Sequence, residues 1–285
     1  MRAVLLDGGL GSMLIAAGLE AGRAPEWWNF EHPERIEAVH RAYLEAGSDL
    51  VHTNTFGANP LRLATAGLAG RCREVNGAAV EIARRACEGG ALVAGDVGPT
   101  GHMLPPLGTT TVDQLQRAFR EQAEALAEAG ADLISIETMS DLREALAAVE
   151  AARATSLAVH VSMTFERRRR GVFTIMGDPL VPSLIALAEA GADAVGFNCS
   201  VTSAEMATMV REAAPFIRVP LSAQPNAGQP RVTPEGVAYD ASPEAFARDV
   251  AAMVEAGAAM VGGCCGTTPE FIRQARATIE RVAKR

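Results

Sequence analysis

Short apolar runs recur along the chain, separated by longer amphipathic segments. Four of the runs follow near copies of one pattern: Glu45-Ala46-Gly47-Ser48-Asp49-Leu50-Val51, Glu128-Ala129-Gly130-Ala131-Asp132-Leu133-Ile134, Glu189-Ala190-Gly191-Ala192-Asp193-Ala194-Val195 and Glu255-Ala256-Gly257-Ala258-Ala259-Met260-Val261. Each copy reads as a helix end followed by a strand. The glycine suits the left-handed position just past a helix C-terminus, and the apolar run after it suits a strand buried on both faces. Four further strands are expected at Val4 to Gly9, Leu92 to Val97, Ala158 to Phe165 and Pro220 to Asn226. Caps mark the helices between them: Thr111-Val112-Asp113-Gln114 opens one that runs through about Ala129, and Ser242-Pro243-Glu244 opens another through about Glu255. Eight strands alternating with helices predict a single (β/α)8 TIM barrel spanning residues 1–285, with a doubly wound open sheet as the alternative. The Glu-Ala-Gly-Ala-Asp pattern is also a common helix-to-strand connection, so it speaks to geometry and not to duplication.

The repeat sets a register. Nine and ten residues beyond each repeat glutamate stand Asn54-Thr55, Glu137-Thr138, Asn198-Cys199 and Cys264-Cys265, all polar or reactive. In a barrel these belong to alternate strands, which share side-chain layers, and their C-terminal ends are where barrel enzymes carry their chemistry. The other strands end in Asp7-Gly8-Gly9, in Asp96, in Ser162 to Thr164 and in Gln224-Pro225-Asn226-Ala227-Gly228. A carboxylate and several thiols are therefore expected around one mouth.

Composition narrows the classes. The 285 residues admit one large domain or two smaller ones, and 48% hydrophobic with 21% charged residues fits a globular chain. A net charge of -8 gives no reason to expect nucleic acid as a partner. The apolar start Ala3 to Leu6 is too short for a signal peptide, and no stretch approaches the roughly 20 apolar residues of a membrane span. Five cysteines in a chain of this length point away from a disulfide framework and toward a reducing cytoplasm.

Three of those cysteines matter chemically. Cys264 and Cys265 lie among Gly262, Gly263 and Gly266, and Cys199 also ends an apolar run. Three thiolates with one exchangeable position would hold zinc tetrahedrally. Adjacent cysteines on a strand point to opposite faces, so both reach one metal only where the backbone bends, which the glycines permit. Free cysteines are equally at home as small buried hydrophobes, and that reading is preferred for Cys72 and Cys87. His52 and His160 fall within strand patterns and His40 within a helix, where packed or surface residues are expected rather than ligands.

Taken together the motifs resemble the homocysteine S-methyltransferase family over nearly the whole chain. They are Asp7-Gly8-Gly9-Leu10-Gly11-Ser12, Thr53-Asn54-Thr55-Phe56-Gly57-Ala58-Asn59, Gly95-Asp96-Val97-Gly98-Pro99, Glu137-Thr138-Met139-Ser140-Asp141, Gly196-Phe197-Asn198-Cys199, Pro225-Asn226-Ala227-Gly228 and Gly262-Gly263-Cys264-Cys265-Gly266-Thr267-Thr268-Pro269-Glu270. The last two look most like the homocysteine-binding module of cobalamin-dependent methionine synthase. The resemblance implies zinc held by Cys199, Cys264 and Cys265, with the Asn226 amide oxygen as a fourth ligand that the substrate sulfur displaces. It implies that Glu137 and Asp7 hold the amino group of L-homocysteine and that backbone N–H groups near Gly8 and Gly9 take its carboxylate. No catalytic residue beyond the zinc site is implied.

The implied reaction is methylation of the homocysteine thiol to give methionine. One barrel accounts for these residues, so no folate or cobalamin domain is expected within them, and there is no Asp-x-His-x-x-Gly stretch of the kind that ligates cobalamin. The expected donor is a separate methyl-corrinoid protein or a methyl-folate system. Alternatives are an S-methylmethionine- or betaine-type donor, methylation of another thiol or selenol, or a non-catalytic zinc-binding subunit of a methyltransferase complex. The run Glu166-Arg167-Arg168-Arg169-Arg170 after the fifth strand reads as a solvated loop or as a docking site for an anionic donor. Trp27, Trp28, Phe30, Met103, Met163 and Met176 are candidates to line the mouth, or simply to pack. Oligomeric state is not encoded in any of these features.

Overall fold

The computed structural model describes residues 3–20, 22–88, 90–233 and 236–283. Eight parallel strands form the predicted barrel: β1 (Val4–Leu5), β2 (Leu50–His52), β3 (Leu92–Val97), β4 (Leu133–Met139), β5 (Ala158–Met163), β6 (Ala194–Asn198), β7 (Leu221–Gln224) and β8 (Met260–Val261). Each is hydrogen-bonded to its sequence neighbour from β2 through β8, and β8 returns to pair with β1. The seam between β1 and β2 is closed by Asp49, whose N–H donates to Leu5 O at 2.7 Å while its carboxylate accepts from Leu5 N at 2.7 Å.

That two-point clamp explains the aspartate of the repeat. Asp132 grips Val93 in the same way, with 2.8 and 2.7 Å bonds, and Asp193 grips Val159 with two bonds of 2.8 Å. The carboxylate satisfies the amide of the second residue of the neighbouring strand, Leu5, Val93 or Val159. Ala259, in the fourth copy, keeps only the backbone half of the clamp, from its N–H to Leu221 O. The repeat glycines Gly47, Gly130, Gly191 and Gly257 all have positive φ, as their place after a helix requires.

The anticipated helices form where their caps stand. Thr111 and Gln114 make a reciprocal capping box at the head of the helix Val112–Glu128, and the Ser242 side chain caps Pro243–Glu255. Strand residues alternate as a barrel demands, with Ile134, Ile136, Val159 and Val161 in the main apolar core. Inward positions are stratified. Leu6, Leu50, Ala94 and Leu133 make an apolar layer. Another inward layer is polar and fully paired: His52 Nε2 lies 3.0 Å from Ser135 Oγ, which lies 2.9 Å from His160 Nδ1, whose Nε2 lies 2.7 Å from Ser222 Oγ. Among the described residues no helix is long and apolar enough to cross a membrane.

Candidate active site

A cavity of about 690 Å³ opens at the C-terminal ends of the strands, lined by Asp7, Gly8, Gly9, His52, Asp96, Glu137, Cys199, Gln224, Cys264 and Cys265 among others. Its sulfur end is built from the backbone. The N–H of Cys199 donates to Gln224 O at 3.0 Å, that of Cys264 to Pro225 O at 2.8 Å, and that of Ala227 to Cys265 O at 2.9 Å. These bonds lace the exits of β6, β7 and β8 together. Strand β8 ends at Val261, so the cysteine pair lies in the turn beyond it and the alternation of a strand does not apply.

The glycines serve that turn differently. Only Gly266 has positive φ, at 78°, whereas a Cβ on Gly263 would come within 2.2 Å of Thr267 Oγ1. Gly263 is there for close approach and Gly266 for conformation. Cys199 itself has φ of 61° and Thr138, in the same repeat register on β4, has 62°. Such backbone is costly for a residue with a side chain and persists where its surroundings hold it. Asn198 does so for Thr138, its Oδ1 accepting from Thr138 N at 2.9 Å and from Ser162 Oγ at 2.8 Å, and its Nδ2 donating to Thr138 Oγ1 at 2.8 Å.

The three thiols converge. Cys199 Sγ lies 3.8 Å from Cys265 Sγ, Cys264 Sγ lies 4.0 Å from Cys265 Sγ, and all three fall within 4.8 Å of one another. Tetrahedral zinc with Zn–S bonds of about 2.3 Å requires sulfur separations of about 3.8 Å. The Asn226 side chain hydrogen-bonds Cys199, and its buried Oδ1 has no partner among the described residues. Three sulfurs and an uncommitted amide oxygen thus fit a thiophilic, four-coordinate metal. Hydrogen bonds from Cys264 and Cys265 push the Cys199 thiol down to about 3, against burial, while the same contacts and burial push Cys264 well up. Cys265, in contact with Cys199, is pushed up to about 11. Without a cation the cluster holds one thiolate, and a bound dication would favour three.

The acid end is built from side chains. Asp7 accepts from His52 twice, from Nδ1 at 2.6 Å and from the backbone N–H at 2.9 Å. Glu137 Oε1 accepts from Gln224 Nε2 at 2.8 Å and lies 3.5 Å from His52 Nε2. Burial opposes charge on His52, but Glu137 and Asp7 outweigh it and raise the imidazole to about 10. Burial, and then Glu137, pushes the Asp96 carboxyl well up. Burial, and then the charge of His52, push His160 down to about 3, and it stays neutral.

The predicted site residues Asp7, Gly8, Gly9, Glu137, Cys199, Cys264 and Cys265 all line the one cavity, with Asn226 buried against Cys199. Of the two amides expected to take a carboxylate, that of Gly9 is already committed to Thr267 O and Oγ1, at 3.2 and 3.1 Å. His52 and Gln224 were not picked out from sequence. The strand pattern around His52 suggests packing, yet the ring stands between two acids on the cavity wall. Tyr239 was also missed; it hydrogen-bonds Cys265. Trp27 lines the cavity, but Trp28 and Met163 are buried in the core, and Met103 and Met176 line a separate cavity of about 130 Å³. Cys72 and Cys87 are buried, as expected. The arginine run forms a hairpin of Glu166–Arg168, which is exposed, with Gly171–Phe173, in which Arg167 pairs with Glu212 and Arg168 with Glu166.

The profile of the homocysteine S-methyltransferase family matches residues 4–279. The chain belongs to this family. It is 34% identical to methionine synthase of Mycobacterium leprae, with 98% of this chain and 24% of that protein aligned, and 35% identical to methionine synthase of Mycobacterium tuberculosis, at 99% and 25%. The chain thus spans about a quarter of the length of the curated relatives it matches. Among solved structures, the metallated form of the homocysteine methyltransferase MmuM from Escherichia coli superposes with a TM-score of 0.81 at 29% identity, over 97% of this chain and 96% of that one.

Proposed function

We propose that this member of the family binds zinc through Cys199, Cys264, Cys265 and Asn226 and transfers a methyl group to the thiol of L-homocysteine, giving methionine. The observation that carries the reading is the convergence of three thiols in the cavity that also holds Asp7 and Glu137. Family membership and the likeness to MmuM support it. Bound zinc would keep the substrate sulfur deprotonated at neutral pH, where a free thiol is mostly protonated.

The chain's own residues bind and orient. Glu137, braced by Gln224, and Asp7, braced by His52, offer negative charge to the substrate ammonium. Of the Gly8–Gly9 turn only the Gly8 amide is left to take the carboxylate, that of Gly9 being bonded to Thr267. Asn226 would be the ligand that gives way to the substrate sulfur. The C–S bond forms as the donor's bond to the methyl carbon breaks, and the thiol proton passes to solvent. Holding both partners in line removes the entropy of their encounter, and no covalent enzyme intermediate is needed.

We read residues 1–285 as one homocysteine module whose donor arrives from outside it, on a separate methyl-corrinoid protein or methyl-folate system. Unpaired thiols suit the reducing cytoplasm. The test incubates zinc-loaded protein and homocysteine separately with methylcobalamin, methyl-folate, betaine and S-methylmethionine and measures methionine. Formation from one donor identifies it. No methionine with any donor overturns the reading of a standalone enzyme.

A further inference from the structure

The polar layer of the barrel interior continues into the acid end of the cavity, and His52 is the residue common to both. Its side chain is 7% exposed and those of Asp7 and Glu137 are 2% and 12% exposed, so their charges are poorly screened by water. Both ring nitrogens face acceptors. Nδ1 lies 2.6 Å from Asp7 Oδ1, and Nε2 lies 3.0 Å from Ser135 Oγ and 3.5 Å from Glu137 Oε1. Ionised carboxylates accept only, so the position of Asp7 calls for a proton on Nδ1 and that of Glu137 for one on Nε2.

The rest of the layer accommodates that arrangement. With Nε2–H donating to Ser135, the Ser135 hydroxyl is free to donate to His160 Nδ1 at 2.9 Å, and His160 Nε2–H donates to Ser222 Oγ at 2.7 Å. Every polar atom in the row is satisfied when His52 is an imidazolium and His160 a neutral ring. The remaining groups around His52 add no second positive charge. His40, from the helix Pro33–Glu45, is held neutral by burial and pushed down to about 4, as His160 on β5 is pushed down to about 3. Asp96 on β3 is pushed well up by burial and by Glu137, toward its neutral form. Two carboxylates and one imidazolium leave the acid end with one net negative charge.

We infer that His52 is a positioning residue: clamped between Asp7 and Glu137, it offsets one of their two charges and orients both, so that the acid end selects a thiol substrate bearing a single ammonium group. The inference rests on the homocysteine reading above and deepens it. Without the imidazolium, Asp7 and Glu137 would face each other across a buried site with no countercharge.

The experiment compares zinc-loaded wild-type and His52→Gln proteins in calorimetric binding of homocysteine and of 4-mercaptobutyrate, the same thiol acid without the amino group. Wild type is expected to prefer homocysteine, and the preference should fall by about tenfold in His52→Gln, one charge-assisted contact being worth roughly that factor. Zinc content should be unchanged. Equal weakening toward both thiols, or an unchanged preference, overturns the role of His52. Failure of wild-type zinc protein to bind homocysteine overturns the homocysteine reading itself. Should His52→Gln not fold, nitrogen-15 spectra of the wild-type imidazoles decide: protons on both His52 nitrogens at neutral pH support the inference, and a single proton overturns it.

Discussion

At the sulfur end of the cavity, Cys199, Cys264 and Cys265 are placed by main-chain bonds between β6, β7 and β8, whereas at the acid end Asp7, His52 and Glu137 are placed by one another. Backbone placement makes each thiol nearly independent of its neighbours' side chains. Side-chain placement makes the acid end cooperative, because removing one member leaves another buried charge unpaired. The sulfur end suits a ligand of fixed geometry. The acid end defines a net charge.

The largest expected effect breaks one end without touching the other. Cys265→Ala should abolish stoichiometric zinc and lower methionine formation by more than about a hundredfold, while the metal-free fold stays intact. Metal analysis, turnover and circular dichroism check this; a variant with full zinc and full activity would sink the three-thiolate assignment.

Next in size is Asn198→Ala, which should cost about 2–4 kcal/mol in denaturant unfolding and weaken homocysteine binding. Asn198 links the ends: it holds strained Thr138 beside Glu137 and lies 3.8 Å from Cys264 Sγ. An effect no larger than that of an exposed asparagine would mean that Thr138 needs no such support.

A smaller effect separates the two histidines that share Ser135. The His52 imidazole, raised from its ordinary 6.5 to about 10, binds a proton preferentially in the folded state. Its contribution to stability is full below pH 6.5 and is lost as pH rises toward 10. His160 is pushed from 6.5 to about 3, so the unfolded state takes the proton and stability falls as pH drops from 6.5 toward 3; His40, lowered to about 4, adds to the same acid slope. Unfolding free energy measured across pH should therefore lose alkaline slope in His52→Gln and part of the acid slope in His160→Gln. Identical profiles in the two variants would contradict the assignment of opposite charge states.

The smallest effect concerns neither end. Replacing Arg167, Arg168, Arg169 and Arg170 by serine should change stability by no more than about 0.5 kcal/mol, since the pairs with Glu212 and Glu166 are exposed. If an anionic donor docks there, the salt dependence of its encounter should flatten; unchanged rates and salt dependence would leave the hairpin a solvated loop.

Much of the barrel was legible because its signals are local. Each repeat carries a helix stop and a buried strand in seven residues, and Thr111 and Ser242 cap helices within one turn of themselves. The register from the repeat glutamates also brought Glu137, Cys199, Cys264 and Cys265 to one cavity, because equal offsets from equivalent helix ends reach equivalent strand ends. The clamp role of Asp49, Asp132 and Asp193 was written in the repeat, but its meaning needed the neighbouring strand.

His52 shows where local reading stops. In a strand between Val51 and Thr53 an imidazole is indistinguishable from a packing residue, and its partners lie 45 and 85 positions away in Asp7 and Glu137. By itself the sequence determined the element order, the strand ends and the reactive residue types, because periodicity, caps and turns act over a few residues. The tertiary structure alone decided which acids face which imidazole, which of two similarly buried histidines is charged, and how three thiols from two turns come within 4.8 Å. Charge and coordination are sums over everything nearby, and only the closed barrel defines what is near.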